Sequence, residues 1–153
     1  MQITLYRKRT NALYTEGELE VNFDRQTYTV ESTDCMLPAG RYILRIVKKS
    51  ERKQSLVIFH PDGKSTGWRI GIAHSYIGSR KDRTIAIGTP LIPGAVYKAA
   101  KDYERLMDRF SKCTARGEQM DFIITDSFCK SCQPIRHWLT DYSAKPTPQP
   151  ALA

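Results

Sequence analysis

Residues Leu37-Pro38-Ala39-Gly40-Arg41-Tyr42-Ile43-Leu44-Arg45-Ile46-Val47 decide the fold. The first four form a turn, because Pro presets one backbone dihedral and Gly supplies a positive one. Beyond it, Tyr42, Leu44 and Ile46 point one way while Ile43 and Val47 point the other. A strand that is apolar on both faces belongs near the centre of a sheet. Upstream, Ile3 and Leu5, then Leu19, Val21 and Phe23, then Tyr28 and Val30 each recur two apart, the period of a half-buried strand. Asp24-Arg25-Gln26 is the expected hairpin connection between two of these runs. Downstream, a charged turn over 50–54 leads to a strand from Leu56 to Phe59. The turn Pro61-Asp62-Gly63-Lys64 follows, then short strands at Trp68–Ala73 and Thr84–Ile87 around a polar, basic loop. Val96, Ala99, Tyr103, Leu106, Met107 and Phe110 make one apolar stripe at helical spacing, with Gly117 as its left-handed cap. Phe122-Ile123-Ile124 is a last strand. These elements predict a mainly β (β-rich α+β) fold: a small twisted sheet or partly open barrel with one main amphipathic helix packed on it. One globular domain is expected over 1–142, with a Pro-rich extended tail over 143–153.

The 153 residues leave room for one sizeable core. Hydrophobic residues at 41% and charged residues at 26% exclude a disordered chain. Apolar runs as short as Phe122-Ile123-Ile124 exclude a membrane-spanning helix. The opening, Met1-Gln2-Ile3-Thr4-Leu5-Tyr6-Arg7-Lys8-Arg9, places its apolar residues before its charges, the reverse of a secretory signal. A protein made in the cytoplasm is therefore expected, carried outward if at all by lysis or an injection particle. The 24 Lys and Arg exceed the 16 Asp and Glu, giving a net charge of +8. That charge favours an acidic partner: a protein surface, a cell-wall polymer such as a teichoic acid, or nucleic acid. Four cysteines without a signal read as free thiols.

Three constellations carry chemistry. His74 ends one short strand and Thr84 begins the next, so the two strand ends bring a base and a hydroxyl together, with Ser75 as a second hydroxyl. Their structural alternative is a His bonded to its loop and a Thr that suits a strand. Arg80-Lys81-Asp82-Arg83, with Arg69 upstream and Tyr76 alongside, forms a basic loop suited to gripping phosphate or carboxylate. The alternative is a solvated loop tip. Lys48-Lys49 with Arg52-Lys53 makes a second basic turn. Cys129 and Cys132 have zinc-knuckle spacing, His137 follows five residues later, and Cys113 or Cys35 would supply a fourth ligand. Two reduced thiols beside a packed strand are the alternative, and no other cofactor is indicated.

The stretches Ile3-Thr4-Leu5-Tyr6-Arg7, Leu37-Pro38-Ala39-Gly40-Arg41-Tyr42, and Ile72-Ala73-His74-Ser75 with Ile85-Ala86-Ile87-Gly88 carry a resemblance. Over residues 2–125 the chain resembles a family of small uncharacterised bacterial and phage proteins, a domain of unknown function common in Bacteroidetes and their mobile elements. That family has a His-Ser-Gly-Asn motif and a Gly-Cys-Ile motif, which are similar to the active site of L,D-transpeptidases. By this resemblance the family's Cys falls on Thr84 and its Gly on Arg83, while Tyr76-Ile77 replace Gly-Asn. An alcohol in place of a thiolate implies that His74, Thr84 and Ser75 are vestigial. The expectation is a non-catalytic binding or structural module of phage or mobile-element type, a degenerate relative of a cell-wall domain. Its alternatives are a peptidoglycan-directed acyl transferase or hydrolase using His74 with Thr84 or Ser75, and a zinc-stabilised adaptor.

Overall fold

The computed structural model describes residues 1–50 and 53–128. Among the described residues nine strands and two helices follow in the order β1 Gln2–Thr10, β2 Tyr14–Val21, β3 Asp24–Ser32, β4 Gly40–Ser50, β5 Lys53–Phe59, β6 Ser65–Gly71, α1 Tyr76–Asp82, β7 Thr84–Pro90, β8 Val96–Tyr97, α2 Ala99–Ala115 and β9 Met120–Asp126. The mainly β fold with one main helix packed on it is what the alternation predicts. The sheet runs β3-β2-β1-β9-β4-β5-β6-β7-β8. Because β3 also pairs with β7, through Tyr28–Gly88, Thr29–Ile87 and Val30–Ala86, the first eight strands in that order close into a barrel. Closure leaves neither β3 nor β7 as a bare edge along that seam.

Inward positions alternate along each strand and are fully buried: Ile3 and Leu5, Leu19 and Val21, Leu56 and Ile58, Ile85 and Ile87. Strands β1, β3, β5 and β9 all start at one mouth, which follows from the pairing directions. Helix α2 lies across that mouth. The Thr27 hydroxyl near the start of β3 donates to Asp102 at 2.7 Å, and the Tyr103 hydroxyl donates to the Gln54 carbonyl near the start of β5 at 3.0 Å. Leu106, Phe110 and Cys113 on the helix join the same apolar cluster as the strand residues. Gly117, at φ 76°, ends the helix as its spacing predicts.

The opposite mouth is filled by charge. Arg7 is 1% exposed and Glu31 also 1%. The guanidinium donates to both Glu31 oxygens, at 2.8 and 3.0 Å, and to the Leu37 carbonyl at 2.7 Å. Asp126 completes the cluster at 3.4 Å. Burial opposes charge on both partners; it pushes the Glu31 carboxyl up against the pull of Arg7. For Arg7 the two carboxylates outweigh burial and hold the guanidinium above its ordinary value.

Three local expectations are corrected. The hairpin between β2 and β3 turns at Asn22 and Phe23 rather than at 24–26, with φ 50° and 75°. Two successive positive φ values match the twist of a two-residue hairpin. Phe23, read from its spacing as a strand residue, is 74% exposed at that tip. The loop expected between His74 and Thr84 contains α1. Val96, assigned to the main helix, lies in β8, and α2 begins at Ala99. The expected tail at 143–153 lies outside the described residues.

Candidate functional site: a basic cleft at the β6–α1–β7 crossover

Strands β6 and β7 are parallel neighbours, with Arg69 paired to Thr84 and Gly71 to Ala86. A parallel pair needs a crossover, and α1 supplies it. Ser75 caps the helix with its side chain, accepting from the Gly78 N–H at 3.4 Å. Gly78 is required because a side chain there would run into the Ala73 carbonyl. At the other end Arg83 takes the left-handed conformation, φ 48° and ψ 53°. For a residue with a Cβ this costs about 1–2 kcal/mol. The backbone then re-enters the sheet, where the Arg69 N–H donates to the Arg83 carbonyl at 3.1 Å.

This turn opens onto a cleft of about 370 Å³ lined by Lys49, Ser55, Val57, Ser65, Gly67, Trp68, Arg69, Lys81, Asp82 and Arg83. Among the described residues, four cations therefore face one carboxylate. Among the described residues, Lys49, Lys81 and Arg83 form no ion pair. Arg69 is the anchored member: its Nε–H donates to the Thr84 hydroxyl at 3.0 Å, leaving the rest of the fork for a ligand. The Arg83 guanidinium reaches across Gly67, with Nη1 3.8 Å from where a Cβ would stand.

The remaining sequence candidates fall elsewhere. Tyr76 packs on Tyr14, ring centroids 5.7 Å apart, and Arg80 reaches Asp34 at 3.5 Å on the surface. The Thr84 hydroxyl is buried and donates to the Asp82 carbonyl at 3.0 Å. His74 is exposed at φ 66°, and among the described residues its imidazole makes no hydrogen bond. Ser75 is occupied as the helix cap. The structure thus brings Arg69, Lys81 and Arg83 together, adds Lys49 and two serines, and leaves His74 and Thr84 unjoined. Lys49 belongs to the second basic turn of the sequence, and only the β4–β5 pairing carries it to the first.

Comparison of the chain with protein-family models, with curated proteins and with solved structures finds no match. The cleft's chemistry therefore stands on its own residues. Cys129, Cys132 and His137 lie outside the described residues. Cys35 is half-buried; Cys113 is fully buried, and burial beside Glu118 pushes its thiol up. Among the described residues no cluster of His, Cys, Asp and Glu is placed to hold a metal ion, and no helix is long and apolar enough to cross a membrane.

A second polar environment lies on the outer face of β2. The Glu16 carboxylate, 4% exposed, accepts from the Gly94 N–H at 3.3 Å. Burial raises its pKa from 4.5 to about 7, against the opposing pull of that N–H and of Arg9. A carboxyl raised in the folded state stabilises the fold fully below its unfolded pKa and loses that contribution as pH climbs through the folded one. The wild-type protein should accordingly lose stability between pH 4.5 and about 7. Glu16→Gln should remove that part of the slope. Urea midpoints across this range check it, and parallel profiles for the two proteins would refute it.

Proposed function

We propose that this protein is a non-catalytic binding module that contacts an acidic partner through the cleft between β5, β6 and the α1–β7 turn. One observation carries the reading. Arg69, Lys81, Arg83 and Lys49 converge from separate parts of the chain on a cleft that, among the described residues, holds a single carboxylate, Asp82. Four like charges against one counter-charge raise the local positive potential, and an anionic ligand relieves it. The left-handed turn at Arg83, which caps α1 through its N–H to the Ser79 carbonyl, is what carries the chain from the helix past this cleft.

Binding is favoured over acyl transfer by the state of the hydroxyls. A nucleophile must sit within hydrogen-bond reach of its base. Here Thr84 is bonded to Asp82 and Arg69, and Ser75 to Gly78. A degenerate relation to L,D-transpeptidase-like cell-wall domains, and a place in a phage or mobile-element particle, belong to the same proposal.

Inorganic polyphosphate tests it, because it is a polyanion without bases or sugars. Binding at low ionic strength is expected, with Lys81→Ala and Arg83→Ala together weakening it by at least about tenfold, since each charge-assisted contact contributes about 1.5–3 kcal/mol. Unchanged affinity in the double variant, or no binding by the wild type, would remove the proposal.

A further inference from the structure

The cleft opens onto a wider surface. On β4, β5 and β6 the inward positions are Tyr42, Leu44, Leu56, Ile58, Trp68 and Ile70, all buried. The alternate positions face outward. Register places Arg45 beside Val57, Val57 beside Arg69, and Ile43 beside Phe59. The Arg45 guanidinium lies over the Phe59 ring, 5.2 Å from its centroid. Arg41 and Lys49 extend the basic row along β4 on the same side. Within these three strands there is no Asp or Glu. Carboxylates border it at Asp121, opposite Ile43 and bonded by the Gln119 amide at 2.8 Å, and at Glu118, which lines a second cleft with Ile43 and Arg45 and is paired to Arg116 at 2.7 Å. Among the described residues neither helix lies over this wall: α2 closes the mouth, with Thr114 at its end bordering Ile43 and Arg45, and α1 sits at the β6–β7 crossover.

We propose that this outer wall of β4, β5 and β6 binds single-stranded nucleic acid, with unpaired bases stacked at Phe59 and Arg45 and phosphates led into the basic cleft. The inference rests on the cleft being an anion site and adds the identity of the polymer. An acidic protein or polyphosphate needs only the cations. A basic sheet face that also offers a ring, a stacked guanidinium and half-buried aliphatic side chains matches a polymer that alternates charge with flat apolar groups. A single strand is specified because paired bases in a duplex have no face free to stack on a side chain.

Fluorescence anisotropy of a labelled oligothymidylate, with the full chain, tests the inference against polyphosphate of equal charge. The oligonucleotide should bind more tightly than polyphosphate. With about four phosphate contacts its affinity should fall roughly 50-fold between about 50 and 200 mM salt, following the slope of about −0.7 per contact for single strands. Phe59→Ala should weaken it at least about fivefold without altering that slope. Arg45→Ala, at an exposed position, should weaken the oligonucleotide more than polyphosphate; it carries the test if Phe59→Ala fails to fold, which its melting curve reports. Equal affinity for both polymers, untouched by Arg45→Ala, overturns the nucleic-acid assignment and leaves the anion cleft standing. Binding of neither polymer overturns both.

Discussion

Replacing Arg7 by Met should lower the unfolding free energy by about 3–5 kcal/mol, because it leaves a buried carboxylate without its partner. Arg7 and Glu31 are both 1% exposed, so water cannot take over when the guanidinium goes. The Leu37 carbonyl loses its donor as well. Asp126 keeps access to solvent, with its side chain 45% exposed, and contributes little to the penalty. A melting temperature lower by roughly 10–20 °C is expected for a domain of this size. The double variant Arg7→Met, Glu31→Leu should recover most of that loss, since buried ion pairs are often replaceable by apolar groups of similar volume. Denaturant unfolding of both variants decides the matter. A double variant as unstable as the single one would mean that Arg7 acts through Leu37 and the loop before β4, and the charge-pair account would fall.

Phe110→Ala should cost about 3–5 kcal/mol, the usual range for removing a fully buried aromatic ring. The ring is 0% exposed and sits on the inner stripe of α2 with Leu106 and Cys113. Its loss empties the seam between helix and barrel without touching any strand pairing. The urea midpoint should drop while the denaturant slope stays unchanged. Amide exchange should accelerate first over α2, with the strands still protected, because the helix is held by this seam and a few polar ties. Protection lost equally throughout the barrel would refute the picture of α2 as a separately held stopper.

Sequence alternation read the barrel wall well because burial on one face forces period two in each strand. Leu19 and Val21, Leu56 and Ile58, and the turn at Pro38-Ala39-Gly40 were all legible locally. Closure was not legible. It depends on Val30 meeting Ala86 and on Ile3 meeting Phe122, pairings that no local pattern encodes. Helix α1 was missed because Tyr76-Ile77-Gly78-Ser79-Arg80-Lys81-Asp82 is too short for an apolar stripe, and its one clear signal is the capping Ser75. Phe23 misled because the alternation runs into the turn, where a positive φ and exposure replace the strand. For the site, Arg69, Lys81 and Arg83 were readable as a basic cluster. Their assembly with Lys49 was not, since it needs the strand register to carry one basic turn beside another. Thr84 looked available in the sequence, and only the Asp82 carbonyl and Arg69 reveal that its hydroxyl is taken.

The insertion of β9 between β1 and β4 governs the order in which the molecule can assemble. The hairpins β1–β2–β3 and β4–β5–β6 are made of sequence neighbours and can form early. The gap between β1 and β4 is filled by Met120–Asp126, which pairs in parallel with β1 on one side and antiparallel with β4 on the other. Until those residues leave the ribosome, both hairpin systems expose unpaired strands and half a core. Such long-range pairing places folding in the millisecond-to-second regime rather than the microsecond one. It also leaves open strand edges prone to association with other chains during the interval before the last strand arrives.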